Sequence, residues 1–170
     1  MSVKVYIWNN SATDVGHASL EVSNGAYISF WPKGNAGGKG DIKMGDQHDT
    51  HFPSLYKADR RHEGRDADQS IIIEKLDEKE ITTRWVEFKK DSSKKYNMKN
   101  ANCSTIVATF LEIGSGVPPA NSPRLSISKS VGNKAMQLIL KLRFLGNYID
   151  MWSPNAVATY ALQIKSDKTP

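Results

Sequence analysis

The sequence predicts an α+β fold, an antiparallel sheet packed against a helix that carries a lone cysteine, and three observations predict it. Residues 3 to 8 alternate like a strand, with Val3, Val5 and Ile7 on one side. Two further runs, HASLEV and AYISFW, flank Ser23-Asn24-Gly25 as a hairpin. From Asn102 the run CSTIVATFLEI sets Ile106, Val107, Phe110 and Leu111 on one helical stripe.

The hairpin's register follows from its faces. Directly opposite residues share a face, and the side-chain period of two fixes the rest. A two-residue Asn-Gly loop would set Leu20 against Ser29 and Val22 against Tyr27, mixing apolar with polar. A three-residue loop with Gly25 in the left-handed position pairs Val22 with Ala26, Leu20 with Ile28 and Ala18 with Phe30. That register makes one apolar face and leaves His17, Ser19, Glu21, Tyr27, Ser29 and Trp31 on the other. Trp31 then stands across from His17, and Ser29 lies diagonal to it.

From residue 32 to about 69 the composition turns to glycine and charge, as in KGNAGGKGD and ADRRHEGRDAD. The stretch reads as a polar loop insertion, a flap or partner-binding segment, because long polar connections in a compact domain are commonly functional. Ser70 to Leu76 reads as a strand. Asp77 with Glu80 three residues on resembles a capping box, opening a helix through Ile81, Trp85 and Phe88 to the lysine-rich region near Lys95.

Asn102 or Asn100 is the candidate cap of the cysteine helix, which Gly114, Gly116, Pro118 and Pro119 end. A Ser/Pro-rich stretch over residues 121 to 128 leads to a basic helix over roughly 129 to 145. Its apolar and cationic residues would also suit a membrane surface, and burial against the core is the favoured reading. Residues 147 to 152 fit either helix or strand. Ser153-Pro154 starts a last helix bearing Val157, Tyr160, Ala161 and Ile164, since proline suits the first helical position. The final lysine-rich residues are expected to fray.

The chain has 170 residues, enough for one domain over residues 1–170 with a core that needs no staples. Its single cysteine excludes an internal disulfide and a cysteine-rich zinc site. No apolar run is long enough to span a bilayer, so no transmembrane segment is expected. The N-terminus lacks the charged, apolar and small-residue regions of a signal peptide. Synthesis in the cytoplasm, with any export or delivery made without a cleavable signal, is the expected localisation. The net charge of +5 permits an anionic partner. The lysines near 89 to 95 read as a solvated helix end, and no nucleic-acid motif accompanies them.

Cys103 falls in the first turn of its helix, where the positive end of the dipole and unbonded N–H groups lower a thiol's pKa and can hold an oxyanion. A lone cysteine is more often a small buried hydrophobe. His17 follows Gly16 on the polar face of the hairpin, and a histidine there is by itself more often structural. The pairing of Cys103 as nucleophile with His17 as general base gives both residues weight.

The order GHASLEVSNGAYIS, then YNMKNANCSTIV, resembles the circularly permuted branch of the NlpC-type papain-like superfamily, which includes the lecithin retinol acyltransferase family. The resemblance spans about Val3 to Leu111. It implies a papain-like α+β core, a thiolate–imidazole pair, and acyl transfer through a thioester without cofactor or metal. The family's third polar residue falls on Ser29, which the register also sets beside His17. Serine departs from the histidine or other strong hydrogen-bond partner common there, and Asp41, Asp46, His48 or a flap carbonyl are alternatives. Trp31, Tyr27 and Asn102 are the candidate substrate-binding residues.

GHASL, YISFWP and the polar flap are also similar to bacterial secreted effectors of this superfamily, which implies a peptide, peptidoglycan or acyl substrate and an immunity or host protein partner. The first expectation is a cysteine hydrolase cleaving an amide bond. The alternatives are an acyltransferase or thioesterase acting on lipid or lysine acyl groups, and a catalytically inactive partner-binding module. His48-x-x-His51, with Asp46, Asp49 and His62, has too loose a spacing to define a metal centre, and none is expected.

Overall fold

In the computed structural model, residues 2–10, 15–34, 46–126, 133, 134, 137, 138, 141 and 148–168 are described. Strand β1 (Ser2–Trp8) pairs antiparallel with β2 (His17–Val22), matching Trp8 with His17, Tyr6 with Ser19 and Val5 with Leu20. The hairpin continues into β3 (Tyr27–Ile28) with Leu20 opposite Ile28 and Glu21 opposite Tyr27, the three-residue register. Gly25 takes φ +92°, and the Val22 amide donates to the Ala26 carbonyl at 2.8 Å. This is the left-handed turn position that only glycine occupies without strain.

The polar segment is more ordered than a loop insertion. It contributes β4 (Trp31–Pro32) and β5 (Thr50–His51), which pair antiparallel, and helix α1 (Tyr56–Glu63), which stops at Gly64 with φ +70°. Eight residues are too few for a stable isolated helix, so tertiary contacts must hold α1. Tyr56 supplies them: its ring lies 4.4 Å from Tyr6 and stacks on Trp8, and its hydroxyl accepts from the Ala67 amide at 3.0 Å and donates to Asp66.

Strand β6 (Gln69–Glu74) pairs antiparallel with β1, giving the sheet order β3-β2-β1-β6. It ends short of Leu76 because Lys75 takes a positive φ of 62°. Helix α2 (Glu78–Lys90) begins at Asp77, whose carboxylate accepts from the Glu80 amide at 2.9 Å. Only half of the capping box forms: the Glu80 carboxylate turns to Arg84, and the Asp77 amide donates to the Gly114 carbonyl. The helix stops before Lys95 because Asp91 turns the chain, accepting from Ser93 through amide and hydroxyl.

Helix α3 (Cys103–Ser115) is capped by Asn102 and ends at Gly116 with φ +67°. Strands β7 (Arg124–Ser126) and β8 (Tyr148–Asp150) pair antiparallel, so of the ambiguous stretch 147–152 the residues 148–150 are strand, and residue 147 lies outside the described residues. Helix α4 (Pro154–Lys168) starts where Ser153-Pro154 predicts. Of the basic helix expected over 129–145, Lys134, Gln137, Leu138 and Lys141 are helical, Asn133 is described but not helical, and the rest lies outside the described residues. Asp41 and the final two residues do too.

The fold is therefore α+β, with an antiparallel sheet packed against helices. Val3, Val5, Ile7, Leu20, Ile28 and Ile73 bury one sheet face in a core shared with Ile81, Trp85, Leu111, Val157 and Ile164 of α2, α3 and α4. On the other face Tyr6, Trp8 and Tyr27 form a second cluster with Tyr56 of α1. Among the described residues, no helix is long and apolar enough to cross a membrane.

Candidate active site

His17 opens β2 directly after Gly16, where φ is +68°. A Cβ on Gly16 would come within 2.3 Å of the Trp8 carbonyl oxygen and 2.8 Å of the Asn10 nitrogen, so only glycine lets the chain turn this tightly into the histidine. The ring is 1% exposed and lies between two indoles, stacked on Trp31 at 4.3 Å and tilted against Trp8 at 5.5 Å.

The group that anchors the ring is Asp59, from the middle of α1 and 0% exposed. Its Oδ2 lies 3.3 Å from His17 Nε2 and accepts from the Tyr27 hydroxyl at 2.7 Å. Its Oδ1 accepts from Ser29 Oγ at 2.7 Å and from Trp31 Nε1 at 2.8 Å. Three neutral donors thus satisfy a fully buried carboxylate, without which its burial would be prohibitive. Ser29 Oγ also sits 3.2 Å from His17 Nε2. Since its one proton goes to Asp59, Ser29 can only accept from the ring.

The orienting group is consequently Asp59, and Ser29 supports it. Of the alternatives, Asp46 accepts from Asn97 through its backbone carbonyl, and His48 exchanges backbone hydrogen bonds with Tyr96. Asp59 escaped the sequence reading because it lies inside ADRRHEG, where every charge reads as solvent-facing. The available signal was Asp59 and Glu63, one helical turn apart ahead of the stop at Gly64, and both are buried.

With Nε2 engaged by Asp59 and Ser29, the other ring nitrogen, Nδ1, is the one left for Cys103, and His17 is close enough to the thiol to act on its ionisation. Burial of Cys103 opposes ionisation. The His17 charge, its hydrogen bond, the Ala18 backbone N–H and the Ser104 hydroxyl outweigh it and lower the thiol's pKa. Burial likewise opposes a charged His17, but the Asp59 carboxylate and then the Cys103 thiolate raise its pKa to about 10. Burial pushes Asp59 upward, yet His17 and the Tyr27 and Ser29 hydroxyls bring it down to about 2. All three shifts favour a thiolate, an imidazolium and a carboxylate in a row.

The three expected substrate contacts are engaged elsewhere. Tyr27 is 5% exposed, and its hydroxyl is shared between Asp59 and Ser19. Asn102 is similarly buried. Its Oδ1 accepts from the Thr105 amide and hydroxyl, and its Nδ2 donates to the Met98 and Trp152 carbonyls at 2.7 and 2.9 Å. Both side chains are scaffold, with no polar atom to spare for a ligand. Trp31 is partly exposed, but its N–H is committed to Asp59 and its ring to His17, with His62 5.2 Å away.

Among the described residues, no group of three or more His, Cys, Asp and Glu side chains could hold a metal ion. Asp49 pairs with Lys95 at 2.6 Å instead, and His51 meets the His62 ring edge-on.

Residues 39–116 match a family model described as the IcsB middle domain. The matched stretch runs from the polar segment through α3, so it contains Asp59 and Cys103 and leaves out His17. No curated protein and no solved structure matches the chain.

Proposed function

We propose that this chain is a papain-like cysteine enzyme that works through an acyl-thioester on Cys103 and hydrolyses an amide bond in a peptide or peptidoglycan stem. The observation that carries this reading is the buried row of Cys103, His17 and Asp59, with the thiol's pKa lowered and the imidazole's raised. Such perturbed, mutually coupled groups are what nucleophilic catalysis requires.

In the first step the Cys103 thiolate attacks the carbonyl carbon, forming a C–S bond and an oxyanion. The Cys103 and Ser104 amides, which have no intrahelical acceptor at the start of α3, are suited to receive that oxyanion. Collapse breaks the C–N bond, and the leaving amine takes the proton from His17 Nδ1. Neutral His17 then removes a proton from water, whose oxygen attacks the thioester and releases the thiolate. Asp59 stays ionised throughout and holds the ring by Nε2.

A second reading is transfer of the acyl group to a lysine amine or a lipid instead of water. The same acyl-thioester on Cys103 allows it, with the amine or hydroxyl acceptor taking the place of water. A role as a delivered bacterial effector rests on the GHASL and YISFWP segments, and the match to the IcsB middle domain adds support.

The test is to offer peptides, peptidoglycan fragments and acyl-lipids to the wild type and to Cys103→Ala and follow the products and the intact protein by mass spectrometry. Cleaved amide products that need Cys103 are the expected outcome. Acyl-enzyme formed from lipid alone would replace the hydrolase reading by the transferase one. Cys103 chemistry that ignores His17→Ala would remove both.

A further inference from the structure

We infer that Trp31 is a positioning residue that keeps His17 in its charged form, a role that rests on the thiol-enzyme reading above. Trp31 touches both partners of the anchoring pair with different parts of one side chain. Its ring face stacks on the imidazole at 4.3 Å with the planes 25° apart, and its Nε1–H donates to Asp59 Oδ1 at 2.8 Å. An indole face within about 6 Å of a cation stabilises that cation through the negative potential of the ring, most strongly where water is excluded. The His17 ring is 1% exposed, so this condition holds.

The second indole beside His17 acts differently. Trp8 lies farther away at 5.5 Å, is tilted by 48° so that it faces the imidazole less squarely, and donates its N–H to the Arg65 carbonyl, not to Asp59. Trp31 is held in place by strand pairing, Trp31 to His51 across β4 and β5. The segment that supplies Asp59 therefore also supplies the strand that fixes the indole over His17. An imidazolium favoured in this way favours the thiolate it pairs with, because each charge stabilises the other.

The experiment measures the rate of Cys103 alkylation by iodoacetamide against pH in the wild type, His17→Ala, Trp31→Leu and Trp31→Phe. The His17 ring is titrated by NMR in the same Trp31 variants carrying Cys103→Ala. Trp31→Leu removes ring and donor; its acid limb is expected to move upward by roughly half to one pH unit, a three- to tenfold slower reaction below the limb. The His17 titration should fall by a similar amount. Trp31→Phe keeps a ring and should recover most of both shifts. Thermal unfolding identifies any variant that is merely unstable, and Trp31→Met replaces Trp31→Leu should the latter not fold.

Alkylation that is the same in the wild type and His17→Ala would sink the thiol-enzyme reading itself. With that dependence present, a Trp31→Leu profile and His17 titration superimposable on wild type would overturn the role of Trp31. So would Trp31→Phe shifting as far as Trp31→Leu.

Discussion

The two faces of one sheet solve burial in opposite ways. Toward α2, α3 and α4, Val3, Val5, Ile7, Leu20 and Ile28 remove apolar surface from water and need nothing but fit. Toward α1, Tyr6, Trp8, His17, Ser19 and Tyr27 of the same strands, with Ser29 directly after β3, are also buried but carry polar atoms. Most of these are satisfied through Asp59 and Glu21, with Tyr6 donating to Glu21 at 2.6 Å and Ser19 bonded to Tyr27 at 2.8 Å, while Trp8 donates to the Arg65 carbonyl. The apolar face tolerates a missing methylene in proportion to the cavity left. The polar face depends on its members being present together, because each lost partner strands another buried group.

This difference gives the largest expected effect. Asp59→Ala should cost about 3–5 kcal/mol of unfolding free energy by urea titration, because it leaves a buried imidazole and three donors without their acceptor. Leu20→Ala on the apolar face should cost about 3 kcal/mol and leave the alkylation profile of Cys103 in place. A Leu20→Ala profile displaced as far as that of Asp59→Ala would break the distinction between the faces.

The next effect is a pH dependence, read in Cys103→Ala so that His17 titrates against Asp59 without the thiol. His17 is raised from 6.5 in the folded state, with Asp59 the largest favourable cause. Its stabilisation is therefore full below about 6.5 and lost as pH rises through the folded value, which lies at about 10 with the thiol present and lower without it. Urea stability should fall across that interval by at most about 1.4 kcal/mol per pH unit. Asp59 is lowered, so its own contribution is present above about 3.8 and is lost only as pH falls through about 2. Adding Asp59→Asn should flatten the alkaline decline; an undiminished decline would place its origin elsewhere.

The smallest effect sharpens the identity of the orienting residue. Ser29→Ala removes one of three donors to Asp59 and should cost about 1.5–3 kcal/mol, near the low end because Tyr27 and Trp31 remain. The acid limb of Cys103 alkylation should move much less than in Asp59→Asn. Equal displacement would return Ser29 to the orienting role.

The parts of this molecule legible in its sequence are those decided locally. Gly25 sets the hairpin register, Asp77 and Asn102 cap their helices, and Pro154 opens the last one, all through backbone preferences within a few residues. The placement of Cys103 at a helix start and of His17 on the polar strand face was legible for the same local reasons. Asp59 was not, since α1 has no apolar periodicity and is held by Tyr56 against rings from β1. Its burial is a tertiary fact about a charge, and within one polar heptad its spacing from Glu63 is the only trace of it. Tyr27 and Asn102 were read as substrate contacts for a related reason. Their position beside the pair was evident, but the partners that occupy their polar atoms, Asp59 and Trp152, come from distant segments.

The bond from Asn102 to the Trp152 carbonyl bears on when the surroundings of Cys103 are completed during synthesis. The same amide side chain starts the cysteine's helix and reaches 50 residues ahead for its last acceptor. A nascent chain that has extruded β2, α1 and α3 holds Cys103, His17 and Asp59 but lacks that acceptor. Completion of the Asn102 hydrogen bonds thus waits for the Trp152 segment and α4 behind it, and alkylation of Cys103 in stalled ribosomal chains would measure how late in translation its surroundings assemble.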